Sequence, residues 1–347
     1  MHRAAPEAAS PVPTRPTRFR RVRAEAVAAF ARLAVRIFFK DVDVTGLDNL
    51  PSKAPLVMVA NHNNSVVDSF LLLALPKARP RMLAKSTLFS HAVMGPLLFV
   101  AGALPVYRRL DEGADVTRNS DTFSRCHALL AAGGSIALFP EGMSHNLERQ
   151  PPLKTGAARI LLGAEALRGP LGVRVVPVGL FYDAKERFRS RVSIHVGPCL
   201  DATTELNAYN ARQGDAIRAL TARIALALEG AVGQAKEKSE TRRLVADAPP
   251  LGPVVRLLAL PILLLGYTLN WLPYRLPGWI AGRLSQSPDD RATYKLLAGI
   301  LAFPLVWAGE ALLAARLGGW AWGAATAVAA PVSGYVALRL REMRSPT

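Results

Sequence analysis

The stretch Pro55-Leu56-Val57-Met58-Val59-Ala60-Asn61-His62-Asn63-Asn64-Ser65-Val66-Val67-Asp68-Ser69-Phe70-Leu71-Leu72-Leu73-Ala74-Leu75 decides the architecture. Its first six residues form an apolar, partly β-branched run of the length expected for a buried strand. A polar Asn-His-Asn-Asn-Ser loop breaks that run, and a second apolar stretch follows. The loop sets an imidazole and a carboxylate just past a strand end. Histidine, with an ordinary pKa of about 6.5, is suited to remove the proton of a neutral hydroxyl. An aspartate on the other ring nitrogen would fix the tautomer and stabilise the imidazolium as it forms. The same spacing fits a second account, in which Ser65 is an N-cap and Asp68, three residues on, reaches back to a backbone amide as in a capping box. The local pattern leaves both accounts open.

Working outward, short apolar runs alternate with helical patterns from about residue 41 to residue 204. Strands are expected at 56–60, 81–84, 102–107, 135–139, 174–180 and 192–196, and helices at 65–74, 115–132, 155–166 and 205–229. This alternation is an α/β signature, which places active-site loops at the carboxyl ends of strands. Ahead of it, residues 25–40 form an amphipathic helical pattern. Val27, Phe30, Ala34, Ile37 and Phe38 lie on one face, and Arg32, Arg36 and Lys40 on the other. Such a helix suits either a lipid interface or a core-packing role with a solvated face.

Composition narrows the class of partner. The chain has 347 residues, 43 of them basic and 26 acidic, for a net charge of +17, and half of it is hydrophobic. Its mean hydropathy is +0.19. Basicity points to nucleic acid or an anionic membrane surface. Zinc-finger spacing, recognition-helix signatures and aromatic-interleaved basic patches are all lacking, so no nucleic-acid partner is expected, and apolarity together with charge favours the membrane. Two isolated cysteines, Cys126 and Cys199, argue against a disulfide framework and fit a reducing compartment.

These features divide the chain into four parts. Residues 1–23 are expected to be a disordered basic tail, 24–233 the α/β domain with its N-terminal amphipathic helix, 234–250 a linker, and 251–347 a hydrophobic C-terminal region. Within the last, residues 257–272 are short for a full span, interrupted by Pro261, and suit an interfacial or re-entrant segment. Residues 296–315 and 320–338 each approach the roughly 20 residues a bilayer span needs. They are expected to form a transmembrane hairpin over 296–338. Arg291 and Lys295 precede it, and Arg339, Arg341 and Arg344 follow, which puts both ends on the cytoplasmic side. Glu310 inside the first span calls for a partner or an interfacial position.

Three further motifs carry chemistry. Gly102-Ala103-Leu104-Pro105-Val106-Tyr107-Arg108-Arg109 ends a strand in two guanidinium groups, whose planar forks suit phosphate. Phe139-Pro140-Glu141-Gly142-Met143-Ser144-His145 again puts a carboxylate at a strand end, beside a glycine that admits close backbone approach of a ligand. Leu153-Lys154-Thr155-Gly156 is a basic helix start that suits an anionic group. A fourth segment, Val175-Val176-Pro177-Val178-Gly179-Leu180, is apolar and is expected to line a channel or support the site from the sheet. His91, His127, His145 and His195 have no ligand-like partners in sequence, so no metal or other cofactor is expected.

In this order the His62–Asp68, Gly102–Arg109, Phe139–His145 and Val175–Leu180 blocks resemble the glycerolipid acyltransferase family, which includes bacterial 1-acylglycerol-3-phosphate and some glycerol-3-phosphate acyltransferases. The resemblance covers about residues 38–201 and implies a mixed sheet flanked by helices. His62 and Asp68 match the family's catalytic pair, Arg108 the arginine of its glycine-arginine block, Glu141 and Gly142 its acceptor-binding block, and Pro177 the proline of its last block. The resemblance therefore implies transfer of a fatty acyl chain from acyl-CoA or acyl carrier protein to a hydroxyl of glycerol-3-phosphate or its 1-acyl product, at a membrane. In this scheme His62 is general base, Asp68 orients it, Arg108 holds the acceptor phosphate and Glu141 with Gly142 position the glycerol. Asn61, Ser144 and Lys154 are further candidate substrate contacts, and Lys85 is a remoter one. One departure stands out: five residues separate His62 from Asp68, where the family usually has four. Two alternatives remain, a CoA-independent transacylase using the same pair and a non-catalytic membrane scaffold that keeps the fold.

Overall fold

A computed structural model describes residues 18–91, 94–108, 115–145, 147, 150–244, 253–285 and 288–342. Seven strands form one sheet: β1 (Asp41–Thr45), β2 (Leu56–Ala60), β3 (Arg81–Lys85), β4 (Leu104–Val106), β5 (Ser135–Leu138), β6 (Arg174–Tyr182) and β7 (Arg191–Val196). Their order is β1-β7-β6-β2-β5-β3-β4. Strands β6, β2, β5, β3 and β4 are mutually parallel, whereas β7 is antiparallel to β6 and carries β1 parallel to itself. The chain is thus α/β with a mixed sheet flanked by helices. The carboxyl ends of β2, β4, β5 and β6 share one edge, which is where ligand sites form in open α/β sheets.

Strand β2 is buried along its whole length, and its alternate side chains serve opposite cores. Met58 and Ala60 join Phe38 and Phe39, α2 (Ser65–Ala74) with Leu71 and Leu72, and Leu296 of α9 (Pro288–Gly318). Val57 and Val59 join α4 (Asn119–Ala131), α5 (Gly156–Arg168) and α7 (Gln213–Leu244) on the other face. Gly179 of β6 lets α7 approach closely, since a Cβ there would lie 2.1 Å from the carbonyl oxygen of Ala231. That contact makes the Val175–Leu180 segment a buried support of the sheet.

The N-terminal helix α1 (Arg18–Phe38) resolves the two accounts of its pattern by using two apolar faces. Ala28, Ala31, Ala34, Val35 and Phe38 are buried, while Phe30, Leu33 and Ile37 form an exposed stripe. Its helix begins at Arg18, so residues 18–23 are helical rather than part of a disordered tail; residues 1–17 lie outside the described residues. Helix α3 (Met94–Ala101) and strand β1 have no counterpart in the expected elements. The 205–229 helix is two, α6 (Thr203–Tyr209) and α7.

Helix α7 also corrects the expected linker. It runs without interruption to Leu244, so residues 234–244 are helix, and residues 245–250 lie outside the described residues. Polar composition misleads here because Ala231, Ala235 and Ser239 are buried at four-residue spacing, which keeps one narrow face packed on the domain.

The C-terminal region is three helices, α8 (Pro253–Leu284), α9 and α10 (Trp320–Glu342), each long and apolar enough to cross a membrane. The segment expected to be short and interfacial is part of α8, which continues through Pro261, Pro273 and Pro277. Helices bundled in an apolar medium tolerate internal proline because neighbours re-satisfy the freed backbone groups. Asn270 of α8 ties the three helices together. Its amide donates to the Ala330 carbonyl of α10 (3.0 Å) and accepts from the Trp307 indole of α9 (3.0 Å). Helices α9 and α10 form a hairpin that turns at Gly319, with a φ of 88°. The foot of α9 meets the sheet's functional edge: the Val66 N–H donates to Thr293 Oγ1 (3.2 Å), and Lys295 Nζ to the Glu186 carbonyl (2.8 Å).

Candidate active site

Helix α2 starts at Ser65, and capping and pairing of His62 with Asp68 prove to be one arrangement. Asp68 is fully buried. Its Oδ2 accepts from His62 Nδ1 at 2.8 Å and from the Asn64 backbone N–H at 2.8 Å. The amide it caps is Asn64's, one residue earlier than the Ser65 capping box would have it. The five-residue spacing is accommodated by Ser65 in a left-handed conformation (φ 46°), which turns the loop so that the carboxylate still faces back to His62. Because a carboxylate only accepts, Nδ1 carries the hydrogen and Nε2 is the basic nitrogen of the ring. The imidazole stacks on Phe139, with ring centroids 4.0 Å apart and planes 4° from parallel. The His62 side chain remains 17% exposed, enough to meet a substrate.

The loop after β5 holds the backbone of His62. Glu141 Oε2 accepts from the His62 N–H at 2.7 Å and from His145 Nε2 at 2.9 Å, and the His145 N–H donates to the His62 carbonyl at 3.0 Å. Burial pushes the Glu141 carboxyl up to about 7, against the pull of the His62 N–H. Its Oε1 is buried and has no hydrogen-bond partner among the described residues, a demanding position for a carboxylate oxygen unless a ligand donates to it. Gly142 adopts a φ of 83°, a conformation natural to glycine. Its carbonyl accepts from Arg108 Nη1 at 2.6 Å. The guanidinium from the end of β4 therefore reaches across β3 to the Glu141 loop, so the sheet brings Arg108, Gly142, Glu141, His62 and Asp68 into one connected cluster. Arg109 lies outside the described residues.

The remaining expected contacts are placed as follows. Lys154 is exposed, and its backbone N–H donates to the Pro140 carbonyl at 2.7 Å, which sets its side chain beside Gly142. Ser144 lies half-buried in the same loop. Asn61 is different. It is buried, its Nδ2 donates to the Leu180 carbonyl at 2.9 Å and its Oδ1 accepts from the Leu180 N–H at 2.8 Å. Both ends of its amide extend the β2–β6 ladder one step past Ala60, so it ties strands together rather than presenting itself to a substrate. Lys85 closes β3, two strands from His62.

Several site residues have no signal in the motifs. The Tyr182 hydroxyl at the end of β6 donates to Asp68 Oδ1. Asn64 Nδ2 donates to the Lys185 carbonyl (3.0 Å), and Lys185 Nζ to the Asn63 carbonyl (2.9 Å), which joins the β6–β7 connection to the histidine loop. His145, which has no partner by sequence spacing, pairs with Glu141 four residues earlier.

Residues 41–180 match the family model described as Acyltransferase. The chain is 33% identical over 157 residues to a chloroplastic 1-acyl-sn-glycerol-3-phosphate acyltransferase of Brassica napus, a match covering 45% of this chain and 41% of that one. It is 38% identical over 84 residues to glycerol-3-phosphate O-acyltransferase 2 of Saccharomyces cerevisiae, covering 24% of this chain and 11% of that one. Among solved structures, the 1-acyl-sn-glycerophosphate acyltransferase PlsC from Thermotoga maritima aligns with a TM-score of 0.45 at 19% identity, over 62% of this chain and 82% of that one. The chain spans 41% and 40% of the length of two curated plant relatives that it matches.

Proposed function

We propose, from the match of residues 41–180 to the Acyltransferase family model together with the site geometry, that this protein transfers a fatty acyl chain from a thioester, acyl-CoA or acyl carrier protein, to a hydroxyl of a glycerol-phosphate acceptor at a membrane. The observation that carries the reading is the His62 Nδ1–Asp68 Oδ2 bond of 2.8 Å, beside a cluster in which a Glu141 oxygen, buried and without a partner among the described residues, and the Arg108 guanidinium come together from the ends of β5 and β4.

In the proposed reaction His62 Nε2 takes the proton of the acceptor hydroxyl as its oxygen attacks the thioester carbonyl carbon. Asp68 holds the imidazole in the tautomer that leaves Nε2 unprotonated and balances the imidazolium charge. The tetrahedral intermediate collapses with cleavage of the carbon–sulfur bond, and the leaving thiolate takes the proton from the imidazolium, which returns the enzyme to its starting state. Arg108 supplies the cationic fork for the acceptor phosphate, and Glu141 Oε1 receives a hydroxyl of the glycerol. General-base assistance of this kind is worth about 10²–10⁴-fold, and positioning supplies much of the rest. Acyl chains reach the site from the bilayer side. Support for this comes from the apolar helices α8–α10, the exposed Phe30, Leu33 and Ile37 stripe of α1, and the cationic Arg291 and Lys295 at the foot of α9. Those charges favour a cytoplasmic catalytic domain on the inner membrane.

The reading is tested by incubating the purified full chain with radiolabelled palmitoyl-CoA and palmitoyl carrier protein against glycerol-3-phosphate, its 1-acyl product and lysophosphatidylcholine. Thioester-dependent labelling of a glycerol-phosphate acceptor is expected. Transfer that proceeds without any thioester would replace the proposal with phospholipid transacylation, and no transfer to any acceptor would overturn it.

A further inference from the structure

Asp68 receives three donors. Two of them, His62 Nδ1 and the Asn64 N–H, share Oδ2, and Oδ1 is served by the Tyr182 hydroxyl. Tyr182 sits where β6 ends, two residues beyond the family match over 41–180. Its ring lies against Phe39, with centroids 5.9 Å apart, so the phenol is held from the α1 side as well as by its hydrogen bond. Burial and the neighbouring carboxylate of Asp68 push the phenol's pKa well above its ordinary range, so it acts as a donor throughout physiological pH.

We infer that Tyr182 is a positioning residue of the His62–Asp68 pair: its hydroxyl fixes the plane of the Asp68 carboxylate and shares the charge of that carboxylate with the imidazole. This rests on the acyl-transfer reading of the site. The reasoning is geometric. A carboxylate held through one oxygen can rotate about its Cβ–Cγ bond. One held through both presents a set lone pair to Nδ1, which fixes the direction in which Nε2 points. The phenol also withdraws charge from the carboxylate, because a donor on Oδ1 makes the whole group a weaker acceptor at Oδ2. Without that donor the carboxylate binds the imidazolium more tightly and His62 keeps its proton to higher pH. The other charged groups around the pair are Glu141 and His145 from the β5 side and Lys185 from the β6 side. From α9, Arg291 and Lys295 approach Glu186, the first through its side chain and the second through its carbonyl. All of these are retained when only the phenol oxygen is removed, so a difference between wild type and variant isolates Tyr182.

The test is the pH profile of kcat and KM from pH 5 to 9 for the full chain and for Tyr182→Phe, with acceptor and thioester varied in turn. The expected result is a kcat about tenfold lower on the alkaline plateau, both KM values within twofold of wild type, and an acid limb displaced upward. A second variant removes dependence on how well the phenylalanine protein folds. Incorporation of 3,5-difluorotyrosine at position 182 keeps the hydroxyl and strengthens it as a donor, and is expected to move the acid limb downward. Acid limbs that coincide with wild type in both proteins, or a loss confined to KM, would overturn the assignment. Wild type that transfers no acyl group would instead refute the reading on which it rests.

Discussion

Glu141→Gln is expected to stabilise the protein at alkaline pH while lowering its activity. The Glu141 side chain is fully covered, Oε2 is held by the His62 N–H and His145, and Oε1 has no partner among the described residues. Burial lifts its carboxyl from the ordinary 4.5 to about 7. A group whose folded-state pKa is raised binds its proton more tightly in the folded chain. Its contribution to stability is therefore fully present below about pH 4.5 and is lost as pH rises through about 7. At roughly 1.4 kcal/mol per pH unit, the displacement corresponds to about 3 kcal/mol. Glutamine keeps an oxygen for the His62 N–H and never ionises, so it escapes that loss. Thermal unfolding of wild type and Glu141→Gln in the same detergent, at pH 5 and pH 8, measures the effect. The advantage of the variant should be larger at pH 8 than at pH 5 by roughly 5–10 °C. Equal differences at the two pH values would refute the claim that Glu141 is held ionised at a cost. The same variant should transfer acyl groups at least about tenfold more slowly, since the amide nitrogen at the Oε1 position no longer accepts a substrate hydroxyl.

Two other substitutions separate binding from scaffolding. Arg108→Ala should raise the acceptor KM by about tenfold or more with the thioester KM unchanged, and Arg108→Lys should recover only part of it, because a point charge lacks the fork; an unchanged acceptor KM would remove the phosphate role. Asn61→Ala should destabilise the fold by about 2–4 kcal/mol through two unmade buried hydrogen bonds to Leu180, read as a lower thermal midpoint; an undiminished midpoint with a raised KM would restore Asn61 as a substrate contact.

Much of the site was legible in the sequence because it lies at the ends of strands that declare themselves. The β2 run and the α2 start at Ser65 follow from an apolar stretch of strand length, a polar break and a new apolar period, and the strand-end positions of Arg108 and Glu141 follow likewise. What was not legible depends on which strands are neighbours. Tyr182 meets Asp68 across 114 residues of chain because β6 lies beside β2, and nothing local in Phe181-Tyr182-Asp183 marks it as a partner. Asn61 has the look of a site residue because it precedes His62, and only the ladder to Leu180 reveals its use. Helix α1 presented one amphipathic pattern, yet the molecule buries the alanine-rich face and leaves the Phe30–Ile37 stripe outside, a choice set by the close approach that small residues permit. Polar composition hid the end of α7, and internal prolines hid the continuity of α8, because both helices draw their stability from what they pack against.

The central claim is that His62 removes the acceptor's proton. The direct measurement is the rate of thioester-dependent acyl transfer by purified, folded His62→Ala at saturating acceptor and donor. The account predicts a kcat lower by about 10²–10⁴-fold, with a thermal midpoint close to wild type because the half-buried ring leaves Asp68 still bonded to Asn64 and Tyr182. Transfer at the wild-type rate by that variant would contradict it.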